Sequence, residues 1–213
     1  MTPEPLPPVL DWARRLQAMA QTGLTFARDP YDLERYRAIH QMAAEMVAHA
    51  AGAAEVAPIL DLLATETGYA TPKVDVRGVV FDDRGSLLLV KERSDGKWTL
   101  PGGWADVNQS PAENVVREVR EEAGYEARAT KLLAVFDKNK HAHRPVVRHV
   151  YKMFIRCEIT GGAAAHGGTN ETDGVAFYPA DGLPELSTDR NTAGQLARMF
   201  EHFRRPDLPA DFD

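Results

Sequence analysis

Cysteine is nearly absent. Cys157 is the single one among 213 residues, so no disulfide can form within the chain. A chain of this length can bury a sizeable core without a disulfide or a structural metal. Cys157 stands among Met153, Phe154, Ile155 and Ile159, which predicts a buried strand thiol rather than a reactive one, in keeping with a reducing compartment. Long apolar runs are missing too: nothing approaches the roughly 18 residues of a membrane span. An excess of positive charge is also lacking. The 25 Lys and Arg against 31 Asp and Glu leave a net charge of −6, which argues against broad attraction to duplex nucleic acid or an anionic membrane. Met1 to Pro8 is proline-rich and acidic, without the basic and apolar regions of a signal peptide, so a cytoplasmic location with no membrane partner is expected.

What is present divides into two halves. From Val9 to about Thr65 the pattern is helical, with Leu10, Ala13, Leu16 and Ala20 at helical spacing and a break expected at Thr22-Gly23. Asp29-Pro30 reads as an N-cap with proline at the first helical position, followed by Leu33, Tyr36, Ile39, Met42, Ala43, Met46 and Val47 at spacings of three and four. Val56 to Leu63 reads as a third, short helix. These helices are thinly apolar, so they are expected to pack on the second half or on another subunit.

From about Tyr69 the pattern changes to strands. Val74 to Phe81 is followed by the turn signal Asp82-Asp83-Arg84-Gly85 and a returning strand from Ser86 to Lys91, which predicts a hairpin. Further strands are expected at Ala129 to Phe136, His149 to Ile159 and Val175 to Tyr178, with a last helix from about Arg190 to Phe203. Strands mixed with a few helices, without regular alternation, indicate an α+β class. The division is a helical extension over residues 1–66 and a second domain over 67–213.

Between the strands lies one helix with unusual chemistry. Ser110-Pro111-Ala112-Glu113 has the form of a capping box and Gly124 supplies a stop, which fixes a helix from Pro111 to Ala123. At 100° per residue, Ala112, Val115, Val116, Val119 and Ala123 form one apolar arc. Glu118 and Glu122 are four residues apart and share a face, with Glu121 one turn from Glu118 on the same side. Like charges so spaced repel, and a hard divalent cation would relieve them, since Mg²⁺ takes oxygen ligands from carboxylates and phosphates. A solvated acidic face is the alternative reading. Arg117, four residues before Glu121, is placed to orient that carboxylate, and the preceding Pro101-Gly102-Gly103-Trp104 lets backbone approach a ligand closely.

Taken together, the segment resembles the Nudix box, G-x5-E-x7-R-E-U-x-E-E-x-G-U with U bulky and apolar. Gly103 takes the first glycine, and Arg117-Glu118-Val119-Arg120-Glu121-Glu122-Ala123-Gly124 fills the core in register. Two positions depart: Gln109 stands where the box has its early glutamate, and Tyr125 at its final apolar position. Glu113 and Asp106 are the candidates to compensate for Gln109. The extension, from Asp11-Trp12-Ala13-Arg14-Arg15-Leu16-Gln17 to Asp29-Pro30-Tyr31-Asp32, and the stretch Leu133 to His141 resemble a Nudix subgroup acting on X-linked nucleoside diphosphates, which includes bacterial CDP-choline pyrophosphatases.

The resemblance implies an α/β/α Nudix sandwich with a mixed sheet, a helical extension and a homodimer. It also implies a pyrophosphohydrolase dependent on Mg²⁺ or Mn²⁺ that acts on a nucleoside diphosphate linked to another moiety, with CDP-choline placed slightly ahead of ADP-ribose. Glu118 and Glu122 are then metal ligands, Glu121 a third ligand or the base, and the backbone at Gly102-Gly103 adds a carbonyl. Glu171 is the candidate for a further carboxylate from a later loop, against its reading as an ordinary exposed glutamate, with Asp173 a weaker rival. Lys138, Lys140, His141, His143, Arg144 and Arg148 make a basic stretch in an acidic chain. From it Lys138, Lys140 and Arg148 are candidates for binding substrate phosphate, with a solvated loop as the alternative. A Nudix-fold ligand sensor, or an RNA-binding or RNA-processing protein, is the competing and less favoured reading, and Gln109 is the feature that supports it.

Overall fold

The helical half is packed on alanines as much as on large side chains. In the computed structural model, which describes residues 8–143, 148–165, 168–169 and 171–213, this half comprises α1 (Pro8–Phe26), α2 (Pro30–Ala51) and α3 (Ala57–Ala64). Asp29 caps α2 by accepting from the N–H groups of Tyr31 and Asp32, and Gly52 closes it in the left-handed region. Ala13, Ala20, Ala43, Ala44 and Ala48 are buried, small enough for α1 and α2 to lie close together. The break expected at Thr22-Gly23 is not there, because α1 runs on to Phe26. Glycine at position 23 serves close approach instead: the Tyr36 ring of α2 lies 2.4 Å from where a Cβ would stand.

The chain divides into two compact units. The first holds these helices up to Lys73, with Arg148 and His149, and the second begins at Val74. In the second unit the strands are β1 (Lys73–Val80, whose first residue still belongs to the helical unit), β2 (Leu87–Glu92), β3 (Trp98–Thr99), β4 (Tyr125–Asp137), β5 (Val150–Gly162), β6 (Thr172–Tyr178) and β7 (Asp211–Phe212). The helices are α4 (Pro111–Ala123) and α5 (Ala193–Arg204). One sheet has the order β1-β5-β4-β7 and the other β3-β2-β6; β7 runs parallel to β4, so the first sheet is mixed. The α+β class with N-terminal helices is as the sequence indicates.

The turn at Asp82–Gly85 forms, with Asp82 Oδ1 accepting from the N–H groups of Arg84 and Ser86, yet the expected hairpin does not. Beyond a single bridge between Phe81 and Leu87, β1 and β2 part into different sheets. The reason lies in what pairs with β1. The Pro101–Ala105 loop runs along its edge, with Gly78 N–H donating to Pro101 O at 2.8 Å, Val76 N–H to Gly103 O at 2.9 Å and Ala105 N–H to Val74 O at 2.9 Å. β2 pairs instead with β6 and β3.

Burial on both faces follows. Leu87 and Leu89 of β2 join a core with Leu196, Met199 and Phe200 of α5, while Leu88 and Val90 join another with Val115, Val119 and Ala123 of α4. The second core includes Cys157, whose thiol burial pushes up to about 12, an inert interior sulfur. β4 begins earlier than its periodicity suggests, because the left-handed Gly124 turns α4 into strand with no loop between.

Replacing Gly23 by alanine sets a methyl against the Tyr36 ring. Gly23→Ala is expected to destabilise the helical unit by about 1–3 kcal/mol, read as a lower denaturant midpoint. An unchanged midpoint would mean that the ring moves aside freely.

Candidate active site

The site is built on α4 and on three segments brought to it. Ser110 caps the helix with a complete capping box: its Oγ accepts from Glu113 N–H at 3.2 Å, and Glu113 Oε2 accepts from Ser110 N–H at 2.8 Å. Glu113 is therefore engaged in the cap and does not stand in for the missing box glutamate. Val115, Val119 and Ala123 are fully buried, but Ala112, expected in the same arc, is exposed; Asn114 takes a buried place instead. Asn114 folds the approach to the helix over itself, its Oδ1 accepting from Asp106 N–H at 2.8 Å and its Nδ2 donating to Gln109 O and Ser110 O at 3.2 Å each. Helical spacing gives no sign of this burial, because Asn114 lies outside the apolar arc, 40° from Glu118 on the acidic side.

Glu118 and Glu122 are buried, at 7% and 5% exposure. Glu122 Oε2 accepts from Gly102 N–H at 2.8 Å. Gly102 has φ 144°, and a Cβ there would stand 2.0 Å from Val76 O, so only glycine fits at this contact. The loop is tied at Leu100 as well: the buried Asn191 Oδ1 accepts from Thr99 Oγ1 and, at 2.8 Å, from Leu100 N–H. On the far side, Thr172 Oγ1 donates to Glu122 O at 2.9 Å, fastening the start of β6 to the last turn of α4. That places Glu171 beside the helix. Single carboxylate oxygens of Glu118, Glu122 and Glu171 lie within 4.8 Å of one another.

Glu121 falls outside this trio. It lies on the exposed side of α4, where Arg117 Nη1 donates to its Oε2 at 2.8 Å. The helical wheel explains the separation, since Glu118 and Glu122 differ by 40° and Glu121 stands 60° away on the other flank. Arg117 is the hub of this flank: Nη2 lies 2.9 Å from Glu118 Oε1 and 2.9 Å from Asp106 Oδ2, and Nε donates to Gln109 Oε1 at 3.4 Å. Gln109 and Asp106 thus face Arg117. Asp173, the rival to Glu171, is paired with Arg93 at 2.7 Å.

The basic stretch is divided. Lys138 and Lys140 form a 3-10 turn after β4, Lys138 half-buried and Lys140 exposed. Arg148 belongs to the helical unit, with its Nε 3.4 Å from Glu66 Oε1, and Arg144 lies outside the described residues. His141 and His143 turn to separate partners, Asp213 at 3.2 Å and Thr188 O at 2.8 Å, and burial draws His143 down to about 4. Phe136 is core and Trp98 packs on Tyr178, whereas Trp104 is exposed.

The electrostatics point to a cation. Burial pushes Glu122 up to about 8 against the pull of the Arg77 guanidinium, and burial also raises Glu118 against Arg117. Buried carboxylates that hold protons so tightly lack sufficient positive charge. A hard divalent ion, which takes carboxylate oxygens, matches both the donor set and the deficit. Four buried or half-buried residues of this neighbourhood were not anticipated from sequence: Asp75, Arg77, Glu92 and Lys152. Glu92, at the end of β2, is held by Arg190 Nε at 2.8 Å and lies opposite Thr172 in the strand register. An acidic residue closing an apolar strand was the only hint of it.

Residues 71–200 match the family model described as the NUDIX domain, and residues 7–63 match one described as a UDP-X-like, N-terminal oligomerisation domain. A Bacillus subtilis (strain 168) protein, provisionally named an ADP-ribose pyrophosphatase, is 47% identical over 96% of this chain and 96% of its own. Among solved structures, an ADP-ribose pyrophosphatase from Streptococcus suis 89-1591 is 41% identical with a TM-score of 0.60, covering 67% of this chain and 100% of that one. A UDP-X diphosphatase is 30% identical with a TM-score of 0.62, covering 97% of this chain and 98% of that one. The chain belongs to the Nudix hydrolase family and carries the UDP-X-like N-terminal domain.

A pH dependence follows from Glu122. Its carboxyl holds a proton to about 8 in the fold, far above the ordinary range of a glutamate, so the folded chain binds more protons across that window. Its contribution to stability is therefore present at low pH and is lost as pH rises through about 8. With metal chelated, the melting temperature should fall between about pH 6 and about pH 9; Mn²⁺ should restore most at the higher value, and Glu122→Gln should flatten the fall. A profile that neither the ion nor the substitution alters would remove Glu122 from the metal set.

Proposed function

We propose that the protein is a divalent-metal-dependent pyrophosphohydrolase for a nucleoside diphosphate linked to a sugar, with ADP-ribose the first candidate. The observation that carries this reading is the convergence of Glu118, Glu122 and Glu171 at the Gly102 loop. The names of the relatives move ADP-ribose ahead of CDP-choline, and the UDP-X diphosphatase keeps a UDP-linked substrate in view.

In this reading Glu118, Glu122 and Glu171 hold Mg²⁺ or Mn²⁺, with a backbone carbonyl from the Gly102 segment. The bound ion supplies charge neutralisation at the diphosphate and a more acidic water. Arg117 fixes Glu118 and Glu121 in place, and the exposed Glu121 is the proposed acceptor of the proton from the attacking water. Lys138 and Lys140 are proposed to pair with phosphate oxygens. Water adds its oxygen to one phosphorus as the bridging P–O bond breaks; ADP-ribose then gives AMP and ribose 5-phosphate. The helical unit is proposed to form a homodimer. The family description of this domain supports that, as do its exposed Trp12, Met19, Phe26, Tyr31 and Met42. The single buried thiol fits a cytoplasmic setting.

The test is product release from ADP-ribose, a UDP-sugar, CDP-choline, NADH, dinucleoside polyphosphates and short RNA, with Mg²⁺, Mn²⁺ or EDTA. Metal-dependent AMP formation from ADP-ribose is expected. Glu122→Gln should lower it by more than the roughly 10–100-fold that loss of a supporting outer contact costs. RNA binding without turnover of any small diphosphate would sink this reading in favour of a binding role.

A further inference from the structure

The least expected group in the second unit is buried beneath the Gly102 loop. Asp75 and Arg77 are two residues apart on β1 and so share a face. The neighbouring strand β5 brings Lys152 to them. All three are buried, at 6%, 4% and 2% exposure. Arg77 grips Asp75 through two bonds, Nε to Oδ1 at 2.8 Å and Nη2 to Oδ2 at 2.7 Å, and Lys152 Nζ donates to the same Oδ1 at 2.7 Å. One carboxylate therefore answers two cations, and the group carries one positive charge in excess.

A surplus charge in the interior is costly unless something nearby offsets it. Arg77 looks two ways. Its Nη1 donates to Leu100 O at 3.2 Å, at the head of the Gly102 loop, and its charge acts on Glu92, Glu118 and Glu122. Lys138 adds to the same region: its charge opposes those of Arg77 and Lys152, with Asp189 and Asp75 offsetting it in part. Burial draws Lys152 down, against the pull of the Asp75 carboxylate that holds it.

We propose that the Asp75–Arg77–Lys152 group sets the charge balance of the site. Its surplus positive charge opposes the divalent cation and favours the anionic diphosphate, so that affinity for one is held in check to gain affinity for the other. These are positioning and field-setting residues, buried away from solvent. The proposal rests on the functional reading above for its anionic ligand, but not for the metal measurement.

Lys152→Gln keeps a donor for Asp75 and removes the charge, while Lys152→Arg keeps the charge. The Mn²⁺ dissociation constant is measured by electron paramagnetic resonance on the full chain without substrate; kcat and KM for ADP-ribose are measured at saturating Mn²⁺. Lys152→Gln should bind Mn²⁺ on the order of threefold to tenfold more tightly and raise KM by a similar factor, with Lys152→Arg near wild type. A merely structural role predicts that Lys152→Gln weakens both, and that result overturns the proposal, as does Mn²⁺ affinity that does not change. If Lys152→Gln does not fold, Lys152→Met must show the same opposed pair of shifts. Wild type that binds Mn²⁺ but does not cleave ADP-ribose sinks the substrate reading, while the Mn²⁺ shift still decides this one.

Discussion

The structure of the site depends on the contact between the Gly102 N–H and the Glu122 carboxylate. It is possible only because the Pro101–Ala105 loop lies flat along the edge of β1, close enough that Val76 O occupies the space of a Cβ at position 102. Everything around it serves that placement. β1 gives its edge to the loop and so cannot pair with β2; β2 is driven into the second sheet, where β6 and the Thr172 hydroxyl bring Glu171 back to α4.

Magnitudes indicate why protein contacts alone are insufficient. Two ionised carboxylates within 4.8 Å repel by at least about 3 kcal/mol at an effective dielectric near 20. A hydrogen bond to a charged group returns about 1.5–3 kcal/mol, roughly what the Gly102 contact offers Glu122. The balance is met by protonation, which burial favours at Glu122.

Arg117 and Arg77 divide the electrostatic work by position. Arg117 is partly exposed and organises the outer flank, where Asp106, Gln109, Glu118 and Glu121 meet. The amide of Gln109 in place of a carboxylate leaves that flank with less negative charge, yet Arg117 still has three acids to pair with. Arg77 is wholly interior and fixes Leu100 at the head of the loop.

Local rules were enough for α4, for its cap at Ser110 and stop at Gly124, and for the pairing of Glu118 with Glu122, because these depend on spacing within a few residues. The same holds for the cap at Asp29 and for the interior thiol. The spacing of the box also made the family legible. Long-range packing decided the rest. That Gly23 admits a tyrosine ring instead of ending a helix depends on α2. The failure of β1 and β2 to pair depends on a loop that competes for the same edge. Glu121 is parted from Glu118 and Glu122 by an angle the sequence contains, but which side is interior was settled by the core beneath α4. Asp75, Arg77 and Lys152 read as isolated charges in apolar strands; only the adjacency of β1 and β5, strands 77 residues apart at the contact, makes them one group. Charge pairing across strands has no signature in a linear chain, because its partners are chosen by the sheet.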